Sequence, residues 1–171
     1  MKRFLLILAV LIMLPHGTAA KDNPVEIGLV SWGRDLDQAL RLSGETGRPV
    51  FLLFQEVPGC SGCQDFGKTV LSNPRIVKAI ENEFLPVFVY NNKGGEDRRI
   101  LERFNEPAWN FQVVRFLDSA GRDIIPRKDR VWTVTHLAMR MIETLEASGR
   151  PVPDSLRELS EESPLGRQRG H

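Results

Sequence analysis

The chain has 171 residues, 42% apolar and 26% charged, an ordinary balance for one globular domain. That excludes a polytopic membrane protein, a collagen-like repeat and a wholly disordered chain. Lys and Arg number 23 against 22 Asp and Glu, a formal charge of +1, with no basic stripe of the kind nucleic-acid binders carry.

Lys2 and Arg3 precede an unbroken apolar run from Phe4 to Leu14, which Pro15, His16 and Gly17 end. Thr18-Ala19-Ala20 then offers the small residues a signal peptidase reads, so residues 1–20 are expected to be a secretory signal peptide. A membrane anchor fits less well. The run makes a helix of about 17 Å, against a hydrocarbon core of about 30 Å. Cleavage after Ala20 removes two positive charges and leaves a near-neutral chain, periplasmic or secreted, with no electrostatic pull toward nucleic acid.

Residues 21–147 then read as one domain. Glu26 to Val30 is expected as a short edge strand. After Asp35 the period turns helical, with Leu36, Ala39, Leu40 and Ser43 on one face. Val50-Phe51-Leu52-Leu53-Phe54 is an apolar run between breakers, the mark of a central strand covered on both faces. Cys60-Ser61-Gly62-Cys63 follows Pro58-Gly59 at once, and Cys63, Phe66 and Val70 carry helical spacing, so the cysteine motif opens a helix. Asn73-Pro74 restarts a second helix with an N-cap and a first-turn proline, and Ile76, Val77, Ile80 and Phe84 form its apolar face. Val87–Tyr90 is a strand, and Ile100, Leu101 and Phe104 mark a short helix. Phe111–Leu117 reads as a strand, with Asp123-Ile124-Ile125 returning after an Asp118–Gly121 turn. Val134, Leu137, Met141, Ile142 and Leu145 define a last amphipathic helix. Residues 148–171, rich in Pro, Ser, Glu and Arg, are expected to be a mobile tail, with at most a helical turn near Leu156 and Leu159. The order predicts an α/β fold with a central mixed sheet flanked by helices.

Two cysteines are too few for a disulfide-dense miniprotein or for a zinc site closed by cysteine alone. Placed between a buried strand and a helix N-terminus, the pair has the setting of a redox motif. Free N–H groups and the positive end of the helix dipole favour a thiolate at Cys60, the exposed nucleophile, while Cys63 lies one turn further in and resolves the mixed disulfide. A structural staple is disfavoured, because a loop of two residues constrains the unfolded chain little. Past the leader only His136 and His171 remain, so no zinc enzyme is expected. A linear copper(I) clamp on the two thiolates is one alternative. A binding module with incidental thiols is another.

Trp32, Ala39, the run Pro49–Phe54, Cys60–Cys63, Asn73-Pro74 and Phe116–Gly121 together resemble the thioredoxin-like superfamily, in particular secreted members with an extra amino-terminal helix. The resemblance, spanning Trp32 to Leu145, implies a thioredoxin-like fold and thiol–disulfide exchange by Cys60 and Cys63, with no cofactor. It implies protein or small-molecule disulfides as substrates, and an upstream electron donor or acceptor. The chain departs from the family at three places. Gly59 stands where many members have an aromatic residue, Phe54 where thioredoxin has a buried aspartate, and Gln112 where a cis-proline is expected. Pro107 lies too early to replace that proline. Proton transfer then falls to water or to Glu56. Pro58, Gly59, Ser61, Gly62 and Gln112 complete the expected surroundings, and Trp109 is the tryptophan best placed to line a peptide groove. Without room for the dimerisation domain that an isomerase gains from, a periplasmic reductase is the favoured direction.

Overall fold

In the computed structural model, which describes residues 22–108 and 112–162, the apolar run after Pro49 becomes the central strand β1, Val50–Gln55, with all six residues buried. It pairs in parallel with β2, Leu85–Tyr90, in a register running from Val50↔Leu85 to Gln55↔Tyr90. On its other side it pairs antiparallel with β3, Val113–Leu117, from Val50↔Leu117 to Phe54↔Val113. The sheet order is β2-β1-β3, a mixed sheet.

The two-residue period of β1 splits the core into two layers. Val50, Leu52 and Phe54 face helices α1 (Leu36–Thr46) and α4 (Glu96–Arg103), against Leu36, Leu40, Ile100 and Leu101. Phe51 and Leu53 face α2 (Ser61–Thr69), α3 (Pro74–Glu83) and α5 (Val134–Ala147). Phe51 anchors that second layer through ring contacts with Trp32, Phe84 and Phe116 at 5.8, 6.0 and 5.3 Å.

The helix starts follow local signals. The Asp35 side chain accepts the Gln38 N–H at 2.8 Å, and Gly47 closes α1 in a left-handed conformation. The Asn73 side chain accepts from the Arg75 and Ile76 N–H groups ahead of Pro74. No helix of the described residues is long and apolar enough to cross a membrane. Met1–Ala20, the expected signal peptide, lies outside the described residues.

Three expectations are corrected. The stretch from Glu26 is no strand: Val25–Ile27 forms a 3₁₀ turn packed on α2, and Asn23 Nδ2 donates to the Gly28 and Val30 carbonyls. Gly67 makes room for this turn on α2, since a Cβ there would come within 1.9 Å of the Val25 carbonyl oxygen. The return after β3 is a single bridge, Leu117↔Asp123, with the Ile124 N–H donating to Phe116. Phe111 lies outside the described residues. The stretch after Ser148 is no loose tail as far as Glu162. Asp154–Glu161 forms helix α6 against α5 and α3, because Leu156 and Leu159 share one face and are wholly buried.

Candidate active site

β1 runs out at Gln55, and the loop Glu56-Val57-Pro58-Gly59 delivers Cys60 to the N-cap of α2. The Cys60 carbonyl accepts the Gln64 N–H at 3.0 Å, the first bond of the helix. Cys60 is exposed and Cys63, one turn in, is fully buried, with the two free sulfurs 3.4 Å apart.

Their acidities diverge for physical reasons. The Cys63 N–H, then the Cys63 thiol, point hydrogen bonds at the Cys60 sulfur and lower its pKa, against burial and the nearby charge of Glu56. Burial, then the hydrogen bond to Cys60 and its negative charge, push the Cys63 thiol up to about 12. The outer sulfur is therefore the readily ionised one, and the inner sulfur keeps its proton.

The loop is held from two sides. Glu26, a buried carboxylate on the 3₁₀ turn, accepts the Gly59 N–H at 2.8 Å. Asn92 Nδ2 donates to the Val57 carbonyl at 3.2 Å. Gln55 Nε2 bridges the carbonyls of Glu26 and Cys63 at 2.8 and 3.1 Å, joining turn, strand and helix behind the dithiol. The departure at Gly59 has a steric cause. A Cβ there would lie 2.5 Å from the Glu56 carbonyl and 2.7 Å from the Cys63 Cβ, so no aromatic side chain fits.

Glu56, Cys60 and Cys63 come together, with a carboxylate oxygen and both sulfurs within 4.8 Å of one another. Pro58 follows a cis peptide bond from Val57. Ser61, Gly62 and Gln112 join Cys60 in a cleft of about 440 Å³, beside Asp65, Phe66 and the exposed Trp132. Gln112 thus lines the same cleft as Cys60, and its buried Oε1 has no hydrogen-bond partner among the described residues. Trp109 lies outside the described residues. Phe54 points into the opposite layer, toward Phe104, so the polar side chain of β1 nearest the helix is Gln55. His136 is an exposed residue of α5, and His171 lies outside the described residues.

The residues that sequence reasoning missed are Glu26 and Gln55. Gln55 carried a signal, a polar residue closing an apolar strand just before the cysteines. Glu26 carried none, since its burial depends on partners far along the chain.

Residues 31–118 match the family model described as thioredoxin-like. Among solved structures, a thioredoxin from Thermus thermophilus is 20% identical, with 83% of this chain and 98% of that one covered at a TM-score of 0.57. A DsbH oxidoreductase is 16% identical, with 75% and 91% covered at a TM-score of 0.54. At these identities the likeness is one of fold. No curated protein matches the chain by sequence.

Proposed function

The chain belongs to the thioredoxin-like family, and from that premise we propose that it is a thiol–disulfide oxidoreductase acting as a disulfide reductase in the periplasm or outside the cell. The observation that carries this reading is the split of the pair, an exposed Cys60 with lowered pKa 3.4 Å from a buried Cys63 held protonated. The leader-like residues 1–20 support the compartment, where a disulfide persists.

The Cys60 thiolate attacks one sulfur of a substrate disulfide, whose S–S bond breaks as the Cys60–substrate bond forms, and the leaving thiolate takes a proton from water. Cys63 then gives up its proton, with the Glu56 carboxylate oxygen within 4.8 Å as the nearby acceptor, and attacks the Cys60 sulfur. The Cys60–substrate bond breaks, and the second substrate sulfur leaves as a thiolate that takes up a proton. The substrate has gained two electrons and the pair has become a disulfide, which an upstream dithiol donor reduces again.

Strong disulfide donors stabilise their reduced form. At Cys60 the hydrogen bonds from Cys63 work that way and outweigh the opposing charge of Glu56, so the potential of the pair decides the direction.

Equilibration of the mature protein against glutathione tests the proposal. A potential near about −270 mV is expected, and one near about −120 mV marks a disulfide donor instead. If Cys60 and Cys63 form no bond with each other, the exchange reading is lost. Cys63→Ser is expected to accumulate a mixed disulfide on Cys60.

A further inference from the structure

The sequence reading counted two metal donors, and the fold brings a third. Glu56 is half-buried, its side chain has no hydrogen-bond or ion-pair partner among the described residues, and its carboxylate lies within 4.8 Å of both sulfurs. We propose that Glu56, Cys60 and Cys63 form a binding site for a divalent thiophilic ion of the zinc class, with the fourth position left to a solvent water.

The sulfur spacing decides the class of ion. A tetrahedral ion with metal–sulfur bonds of about 2.3 Å needs its sulfurs about 3.8 Å apart, whereas a linear ion with bonds of that length needs about 4.6 Å. The observed 3.4 Å is a small side-chain rotation from the first arrangement and far from the second. A carboxylate oxygen bound at about 2.1 Å then sits about 3.6 Å from each sulfur, within the reach seen here. The donors are also fixed in place. Cys60 is the N-cap of α2 and Cys63 lies within its first turn, and the Glu56 loop is held by the Glu26–Gly59 and Asn92–Val57 hydrogen bonds.

Binding takes both sulfurs as thiolates and releases to solvent whatever protons they still carry. A divalent charge beside Cys63 offsets the burial that otherwise keeps this thiol protonated. The bound ion holds the pair reduced and blocks Cys60 from attacking a disulfide. Metal binding and exchange therefore exclude one another.

The test is titration of the reduced, chelator-treated full chain with Co²⁺ alone, followed by competition with Zn²⁺. Expected are one ion per chain, thiolate-to-metal charge-transfer absorption, and d–d bands of tetrahedral intensity. The signal is lost on oxidation to the disulfide and in Cys60→Ser or Cys63→Ser. Affinity falls at least about tenfold in Glu56→Gln and returns in Glu56→His, which restores a donor. Thermal melting of each variant shows that it is folded. No charge-transfer band at one equivalent, one ion shared by two chains, or unchanged affinity in a folded Glu56→Gln overturns the three-donor site. Exchange by the metal-free protein is measured separately, so loss of the metal site leaves the oxidoreductase reading to stand or fall on its own.

Discussion

The buried carboxylate of Glu26 accepts the Gly59 N–H at 2.8 Å, tying the residue before Cys60 to a turn 33 positions earlier. Glu26→Ala leaves that N–H unpaired in a space closed by the Glu56 carbonyl and the Cys63 Cβ. A loss of about 1–3 kcal/mol is expected in urea unfolding. Glu26→Gln keeps an acceptor oxygen and should recover most of it. Equal midpoints for wild type and Glu26→Ala would show that the bond contributes nothing.

Gly67 sits inside α2, where alanine ordinarily gains up to about 1 kcal/mol of helix propensity. Sterics should win here. A Cβ at 67 would lie 1.9 Å from the Val25 carbonyl oxygen and 2.6 Å from the Glu26 carbonyl carbon, both backbone atoms with little room to move. Overpacking of this kind costs about 1–3 kcal/mol, so Gly67→Ala is expected to be less stable than wild type. A higher melting temperature in the variant contradicts the packing of the turn on α2.

The two thiols leave opposite signatures in the pH dependence of stability. Cys60, with a folded pKa below its unfolded value, contributes stability that is complete above the unfolded pKa and is lost as pH falls through the folded one. Cys63, raised to about 12, contributes stability that is complete below the unfolded pKa and is lost as pH rises from about 9 toward 12. The oxidised protein has neither thiol. Its stability subtracted from that of the reduced protein should climb up to about pH 9 and then drop by a few kcal/mol, on the order of 1.4 per unit. A flat difference across that range removes the assigned split. The rate of Cys60 alkylation by iodoacetamide should already be at its plateau at pH values where Cys63 is unreactive.

Leu156 and Leu159 are wholly buried under α5 and α3. Truncating either to alanine should cost about 2–5 kcal/mol within a single cooperative transition. A change of a few tenths measured by denaturation would mean that α6 is not docked.

Sequence reasoning succeeded where the signal was local. The α1 stripe, the Asn73 cap, the doubly covered run of β1 and the cysteines at a helix start each need only a few neighbouring residues, and each stands as expected. It failed where partners are remote. Glu26 is buried because Gly59 and Gly67 meet it, and neither contact leaves a trace in residues 24–30. Glu106 is likewise buried, paired at 2.7 Å with Arg115 and Arg127, partners 9 and 21 positions away. In α6 the leucine spacing was visible, but the polar composition around it outweighed two apolar positions. At β1, counting six residues back from Cys60 landed on Phe54. The strand's alternation sends Phe54 into the far layer and turns Gln55 toward the helix.

The 3₁₀ turn sets how far the chain can be shortened ahead of β1 before the dithiol is affected. A truncation that keeps Asn23 keeps the side chain that secures the turn through the Gly28 and Val30 carbonyls. One past Asn23 would release that clamp, and one past Glu26 would strip the back wall from the dithiol. The support of the two sulfurs therefore hangs on a segment about 35 residues ahead of them in the chain, and its loss should appear as altered Cys60 reactivity before it appears as unfolding.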